Sequence, residues 1–168
     1  MNETGLTIRT GLRSVTPVLL GVVLAFAGML PIGSATAAIP APHFTLIHVH
    51  YWSIHRPHLV PLPAVAGIGL LQDLVWGGPP GLNMLVLLTA QAVLSNQQAL
   101  FTRRSFTVGW MAFIVVVAIA AAVSWSIASL YYDGEAALRP VIEQALLTIA
   151  AYPPVGWIFG RIDRLLFR

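Results

Sequence analysis

GLLQDLVWGGPPG, residues 69–81, is the stretch that decides the fold, because it places a carboxylate in an apolar run and then ends that run. The run covers residues 59–76, and Asp73 lies inside it. Even on a lenient insertion scale, a carboxylate at the centre of a bilayer costs about 2.5–3.5 kcal/mol. We therefore expect Asp73 to face protein, water or the membrane boundary.

The composition indicates an integral membrane protein. The 168 residues are 57% hydrophobic and 9% charged, whereas soluble domains carry about 25% charged residues. All nine basic side chains are arginines, and they are spread over short connections, which argues against a nucleic-acid-binding face. The sequence contains no cysteine, which excludes disulfides and thiolate metal sites.

Six apolar segments predict an all-α, polytopic six-helix bundle. They cover residues 15–32, 44–54, 59–76, 82–101, 108–130 and 140–159. Because about 20 apolar residues cross a bilayer, the second segment is short, and we expect it to be tilted or partly re-entrant, with its ends shielded by other helices. Pro17 should lie in the first turn of the first helix, and Pro153 and Pro154 should kink or break the last one.

The arginines indicate the orientation of these six spans. With a cytoplasmic N-terminus, eight of the nine fall inside and only Arg139 falls outside. This predicts a cytoplasmic segment 1–14, a single transmembrane domain 15–160 and a basic cytoplasmic end 161–168. All five tryptophans lie near the predicted span ends and are interpreted as an aromatic belt: Trp52, Trp76, Trp110, Trp125 and Trp157. A cleaved signal peptide ending near residues 34–38 is disfavoured, because its apolar stretch exceeds the usual 7–15 residues.

Small residues recur every fourth position around the carboxylate, at Gly69, Asp73, Gly77 and Gly81. On a helix, the first three share one face, where small residues let another backbone approach closely. Two interpretations stay open. The segment is a groove with a functional acid for a ligand or partner helix, or Asp73 lies near the outer interface and caps or solvates the turn.

No catalytic, cofactor or metal residue is predicted. Five histidines, at positions 43, 48, 50, 55 and 58, lie without a nearby acid, so we expect ordinary side chains near the headgroups rather than a metal site. No serine lies in a Gly-x-Ser-x-Gly elbow. Asp73 has no second acid close in sequence, and spatial pairing with Glu143 is left open.

Two ordered motifs in residues 42–88 point to one family. The first is a proline-led short span that ends in a tyrosine and is followed by a basic-proline turn, at Pro42, Tyr51, Arg56 and Pro57. The second is the Gly-Leu-x-x-Asp-x-x-x-Gly-x-x-x-Gly pattern at Gly69, Leu70, Asp73, Gly77 and Gly81. Together with the chain length, the six-span layout and the basic C-terminal end, they resemble the rod shape-determining protein MreD family. The turn at 78–80 is more proline-rich than the family pattern.

The resemblance implies a non-catalytic scaffold of the bacterial inner membrane that supports lateral peptidoglycan synthesis and cell shape in the elongation complex. It implies an MreC-like scaffold protein, a RodA-like polymerase with its transpeptidase, MreB filaments and membrane lipids as partners, and no cofactor. It also implies a fold similar to the substrate-capture subunits of energy-coupling-factor transporters. The alternative function is therefore small-molecule capture for a transporter. Its candidate polar groups are Gln72, Asp73, Asn83, Glu143 and Gln144.

Overall fold

The structure, a computed structural model, describes residues 3–28, 40–95, 106–134 and 136–167. The described residues form α1 (Glu3–Ala27), α2 (Phe44–His55), α3 (Leu62–Trp76), α4 (Leu82–Ser95), α5 (Phe106–Tyr131) and α6 (Leu138–Phe167), with a 3-10 turn (Pro57–Leu59) before α3. Six helices in an all-α arrangement are thus confirmed for this part of the chain. The cleavage site considered at 34–38, and Arg103 and Arg104, lie outside the described residues.

The short helix α2 lies at the centre of the bundle. Its side chains from Thr45 to Ser53 are all buried, and it contacts α1, α4, α5 and α6. Its 12 residues span roughly 18 Å, less than the ~30 Å hydrocarbon core, so it depends on these neighbours to cover its ends. Trp52 is fully buried, and its assignment to the aromatic belt is wrong because every face of a central helix is covered.

Two helices of the described chain are long and apolar enough to cross a membrane by themselves, judged by length and composition. They are Thr107–Tyr131, with a mean hydropathy of 2.4, and Leu138–Leu166, with 1.2. Val15–Ala27, Leu62–Trp76 and Leu82–Ser95 are apolar but shorter. Large apolar side chains are exposed on these helices, such as Leu74 at 74% and Met111 at 61%. Such surfaces suit lipid contact and would be a liability in water.

The two prolines of α6 do not break it. The helix includes Pro153 and Pro154 and continues to Phe167, so of the expected kink or break the break does not occur, and the kink stays a prediction. Pro153 has no N–H to bond the carbonyl of Ile149 four residues earlier. The indole Nε1 of Trp110 on α5 donates to that carbonyl at 3.3 Å. A neighbouring helix therefore replaces the missing bond, as prolines in membrane helices require.

Helix α1 begins well before the predicted start. It extends from Glu3, so Pro17 lies inside the helix, and its expected place in the first turn is wrong. The twelve residues before the predicted span contain no proline, so the helix can extend through them. Pro17 then costs the helix one hydrogen bond, the one that its missing N–H would donate.

Further along α1, Gly21 packs closely on α2 and α3, since a Cβ there would lie 2.6 Å from Ile68 Cδ1 and 3.2 Å from His48 Cε1.

Candidate functional site

Asp73 caps the N-terminus of α4. It is 3% exposed, and its carboxylate accepts hydrogen bonds from the backbone N–H groups of Gly81, Asn83 and Met84 at 2.9, 2.8 and 3.3 Å. The Asn83 side-chain amide donates a fourth bond at 2.9 Å. The first N–H groups of a helix have no partner within it, and its N-terminal end favours an anion. The carboxylate and the helix end thus satisfy each other away from water.

The three glycines of the Asp73 segment have separate structural roles. A Cβ on Gly69 would lie 2.4 Å from Met84 Cα, so the backbones of α3 and α4 touch there. Gly77 at the end of α3 and Gly81 before α4 have φ values of 69° and 88°, which L side chains rarely adopt. The chain's own α4 therefore covers the face that Gly69 shares with Asp73. Use of the segment as a partner-helix groove or functional acid stays a prediction.

A polar network extends from this cap into α2. His43 Nε2 donates to Asn83 Oδ1 at 3.2 Å. The hydroxyl of Thr45 lies 2.9 Å from His43 Nδ1 and donates to Gln72 Oε1 at 2.8 Å. The network forms because α2 and α4 begin, and α3 ends, at the same end of the bundle. We refer to Asp73, Asn83, His43, Thr45 and Gln72 as the Asp73 cluster.

Helix α6 covers the same end of the bundle. The His43 backbone N–H donates to the Thr148 hydroxyl at 2.9 Å, and the Gln144 amide donates to the Ala41 carbonyl at 3.2 Å. A cavity of about 20 Å³ remains between α2, α4, α5 and α6, with His43, Thr148 and Ser124 in its lining. That volume holds about one water molecule.

Glu143, whose pairing with Asp73 the sequence left open, contacts Arg139 instead. Arg139 Nε donates to Glu143 Oε1 at 2.7 Å, across one turn of α6. Asp73 and Glu143 therefore have different partners: a helix N-terminus for Asp73 and an exposed arginine for Glu143.

Two further histidines lie inside the bundle. His48 and His50 are fully buried. Both ring nitrogens of each lack a hydrogen-bond partner among the described residues. The rings instead pack against aromatic side chains, with ring centroids 5.9 Å apart for His48–Phe159, 4.9 Å for His50–Phe113 and 5.3 Å for His50–Tyr152. They act as packing groups of the core.

The interpretation of all five histidines as headgroup residues is wrong for His43, His48 and His50, which are buried. The reason is again the central position of α2, which leaves no face of this helix toward the interface. His55 and His58 follow at the end of α2 and in the next turn, and they are exposed. Within the described residues, no three His, Cys, Asp or Glu side chains gather where they could hold a metal ion.

The family-motif residues Tyr51 and Arg56 lie at the opposite end of α2. Arg56 Nε donates to Asp163 Oδ1 of α6 at 2.7 Å. The Tyr51 ring stacks on His55 with centroids 4.1 Å apart, and His55 Nδ1 donates to the Tyr51 carbonyl at 2.8 Å. Of the other two motif positions, Pro42 is buried just before α2 and Pro57 begins the 3-10 turn. The motif thus defines both ends of α2 and its attachment to α6.

A groove of about 450 Å³ opens between α2 and α6 beside Tyr51. We refer to it as the Tyr51 groove. Its lining residues come from the last turn of α2 and the second half of α6. They are Tyr51, His55, Tyr152, Pro153, Gly156, Trp157, Gly160 and Arg164. The bundle is therefore filled at the Asp73 cluster and open to the side at the other end.

The sequence model of the rod shape-determining protein MreD matches residues 8–159. The chain belongs to the MreD family. Members of this family are non-enzymatic membrane proteins of rod-shape determination, and this role extends to the present chain. The match includes the whole Asp73 cluster and the Tyr51–Arg56 motif. No curated protein and no solved structure matches the chain significantly, so similarity to transporter capture subunits stays a prediction.

Sequence reasoning missed the partners that give the MreD-family motifs their structural roles. The sequence analysis names Asn83 only as a pocket residue, whereas in the structure its backbone N–H and its side-chain amide both donate to Asp73. Trp110 was assigned to the interface, although the paired prolines of α6 signal free carbonyls that need donors. Asp163 carried no signal, because its contact with Arg56 joins residues 107 positions apart.

Proposed function

We propose that this protein is a non-catalytic scaffold of the bacterial inner membrane that holds the elongation complex together. In this role it binds an MreC-like protein and, through it or directly, the RodA-like polymerase, its transpeptidase and MreB filaments. Family membership gives the rod-shape role. The observation that favours a scaffold is the filled Asp73 end. There the polar side chains form hydrogen bonds with one another, and the remaining cavity has a volume of about 20 Å³.

The same observation disfavours the alternative, small-molecule capture for a transporter, at the Asp73 end, where the candidate polar groups lie. Ligand pockets usually occupy about 300–1,000 Å³ and present unpaired polar groups to the ligand. All five candidate groups have partners within the chain: Gln72, Asp73, Asn83, Glu143 and Gln144. A thermal-shift screen with vitamins and lipid headgroups tests this, since strong stabilisation by a vitamin would favour capture.

The proposal includes a role for the segment from Gly69 to Gly81. The Asp73 cap fixes the α3–α4 hairpin, and exposed leucines lie along this hairpin, with Leu74 at 74%, Leu85 at 46% and Leu70 at 44%. A partner transmembrane helix would pack on this apolar surface, whose shape depends on the cap. In this proposal both termini face the cytosol, and reporter fusions at either terminus that are active in the periplasm would contradict it.

The test compares two substitutions of Asp73. Asp73→Leu leaves three backbone N–H groups at the start of α4 without acceptors, so we expect an MreC-like partner to co-purify several-fold less at matched protein amounts. Asp73→Asn should lose less, because its amide oxygen still accepts two of the four hydrogen bonds, although its NH2 group then faces the donors of the other two. Asp133→Asn is the matched control, since Asp133 is exposed, and asparagine tolerates its φ of 52°.

The outcomes test the link between the cap and docking. Unchanged co-purification for Asp73→Leu at normal protein levels would contradict the role of the segment in docking. An equal loss for Asp73→Asn and Asp73→Leu would show that docking requires both acceptor oxygens of the carboxylate.

A further inference from the structure

The Tyr51 groove has an apolar wall, an aromatic rim and a cationic end. Pro153, Gly156 and Gly160 leave the wall of α6 free of large side chains along the groove. Trp157 beside them is 62% exposed, and the Arg161 guanidinium lies 5.1 Å from the centre of its ring. Tryptophan and arginine in this arrangement are typical of the headgroup level of a membrane.

Two polar groups meet at the cationic end. Measured from the position of a Cβ on Gly160, Tyr51 Oη lies at 3.6 Å and Arg164 Nη1 at 3.8 Å. Arg56 is paired with Asp163, whereas no carboxylate among the described residues lies within ion-pair distance of Arg164. The nearby Asp163 carboxylate is held by Arg56, so the Tyr51 hydroxyl and the Arg164 guanidinium form a site for a phosphate oxygen.

The length of the groove matches one leaflet of a bilayer. Its α6 wall extends from Pro153 to Arg164, which is roughly 16 Å at 1.5 Å per residue, about half of the ~30 Å hydrocarbon core. A partner helix that spans the membrane would contact this groove over only about half of its own length. A lipid with its headgroup at the surface and its chains in one leaflet requires only this half.

We propose that the Tyr51 groove binds an anionic glycerophospholipid. Its phosphate contacts Arg164 and the Tyr51 hydroxyl, and one acyl chain lies along Gly160, Gly156 and Pro153. With the orientation proposed above, the lipid belongs to the cytoplasmic leaflet, where basic pockets between helices bind anionic headgroups. The site does not depend on the scaffold proposal, because it requires only that the protein lies in a membrane.

The experiment is native mass spectrometry of the full-length protein in mild detergent, with equal amounts of phosphatidylglycerol and phosphatidylcholine of identical acyl chains. Both lipids carry the phosphate, but the choline cation of phosphatidylcholine is repelled by the arginines at this end of the groove, so we expect several-fold preferential retention of phosphatidylglycerol. Arg164→Gln should bring the ratio close to one, and Arg164→Lys should keep most of it. Gly160→Leu should reduce the retention of both lipids, because its side chain would fill the groove.

Arg139→Gln is the matched control, because it removes the same charge at the other end of α6 and should keep the preference of the parent protein. An equal retention of both lipids, or an unchanged ratio in Arg164→Gln, would overturn the proposal. Displacement of phosphatidylglycerol by inorganic phosphate would assign the site to a soluble anion instead. Unchanged lipid retention in Gly160→Leu, together with loss of a co-purifying membrane partner, would assign the groove to a protein helix.

Discussion

The two ends of the bundle each contain a glycine and an aspartate from neighbouring turns of one helix, and they use them in opposite ways. At the Asp73 cluster, Gly69 touches the backbone of α4 and Asp73 is buried against the start of that helix. At the Tyr51 groove, Gly160 has ordinary van der Waals space around it, and Asp163 forms a half-exposed ion pair with Arg56.

The difference shows how one chain combines a rigid region with an accessible one. A buried carboxylate is stable only when fixed dipoles replace its water, and the first turn of α4 supplies them. An ion pair near the surface contributes little, and it leaves room for other molecules. The Asp73 cluster therefore holds the helices in place, and the Tyr51 groove stays accessible to other molecules.

The largest expected difference between the two ends concerns the glycines. Gly69→Ala should lower the thermal unfolding midpoint strongly, because its Cβ would meet Met84 Cα at 2.4 Å and the α3 and α4 backbones would have to separate. Overpacking of this kind typically costs about 1–3 kcal/mol. Gly160→Ala is the matched control and should be neutral or mildly stabilising, since alanine favours the helix and the nearest atom is 3.6 Å away. Equal midpoints for both variants would remove the contrast between the ends.

An intermediate effect is expected between the two ends, at the contact of Trp110 with Ile149. Trp110→Phe should destabilise the protein by about 1–3 kcal/mol, the cost of a buried carbonyl without a donor. In a Pro153→Ala background the alanine N–H can bond the Ile149 carbonyl, so the same substitution should cost much less. A double-mutant cycle on detergent-solubilised protein measures the difference. Equal costs in both backgrounds would show that the indole does not replace the proline bond.

The smallest effect is expected for the ion pair of the open end. Asp163→Asn should destabilise by no more than about 1 kcal/mol, because Arg56 and Asp163 are both partly exposed. This effect should shrink at high salt, whereas any effect of Asp73→Asn should not, since screening acts weakly on buried groups. Unfolding midpoints of both variants at low and high salt check this. A salt-independent effect of Asp163→Asn would mean that the pair is more deeply enclosed than the structure indicates.

The apolar segments predicted most of the helices well. The predicted segments at 44–54 and 108–130 differ by at most two residues from α2 and α5 at either end, because hydrophobic runs bounded by turn residues are local signals. The sequence also offered capping of the turn as one interpretation of Asp73. The unbroken helix at Pro153 and Pro154 and the burial of Trp52 both depend on what neighbouring helices supply, whereas the misplaced start of α1 before Pro17 reflects helix propagation through residues 3–14.

Sequence alone determined that the chain is helical and apolar, that its arginines are unevenly distributed and that it carries the MreD-family motifs, because composition and short-range spacing contain this information. Only the tertiary structure decided that α2 is central, that Asp73 meets the N-terminus of α4 and that Arg164 lies beside Tyr51. These contacts join residues that are far apart along the chain or lie on different helices. They arise from the packing of helices against one another, which no local pattern specifies.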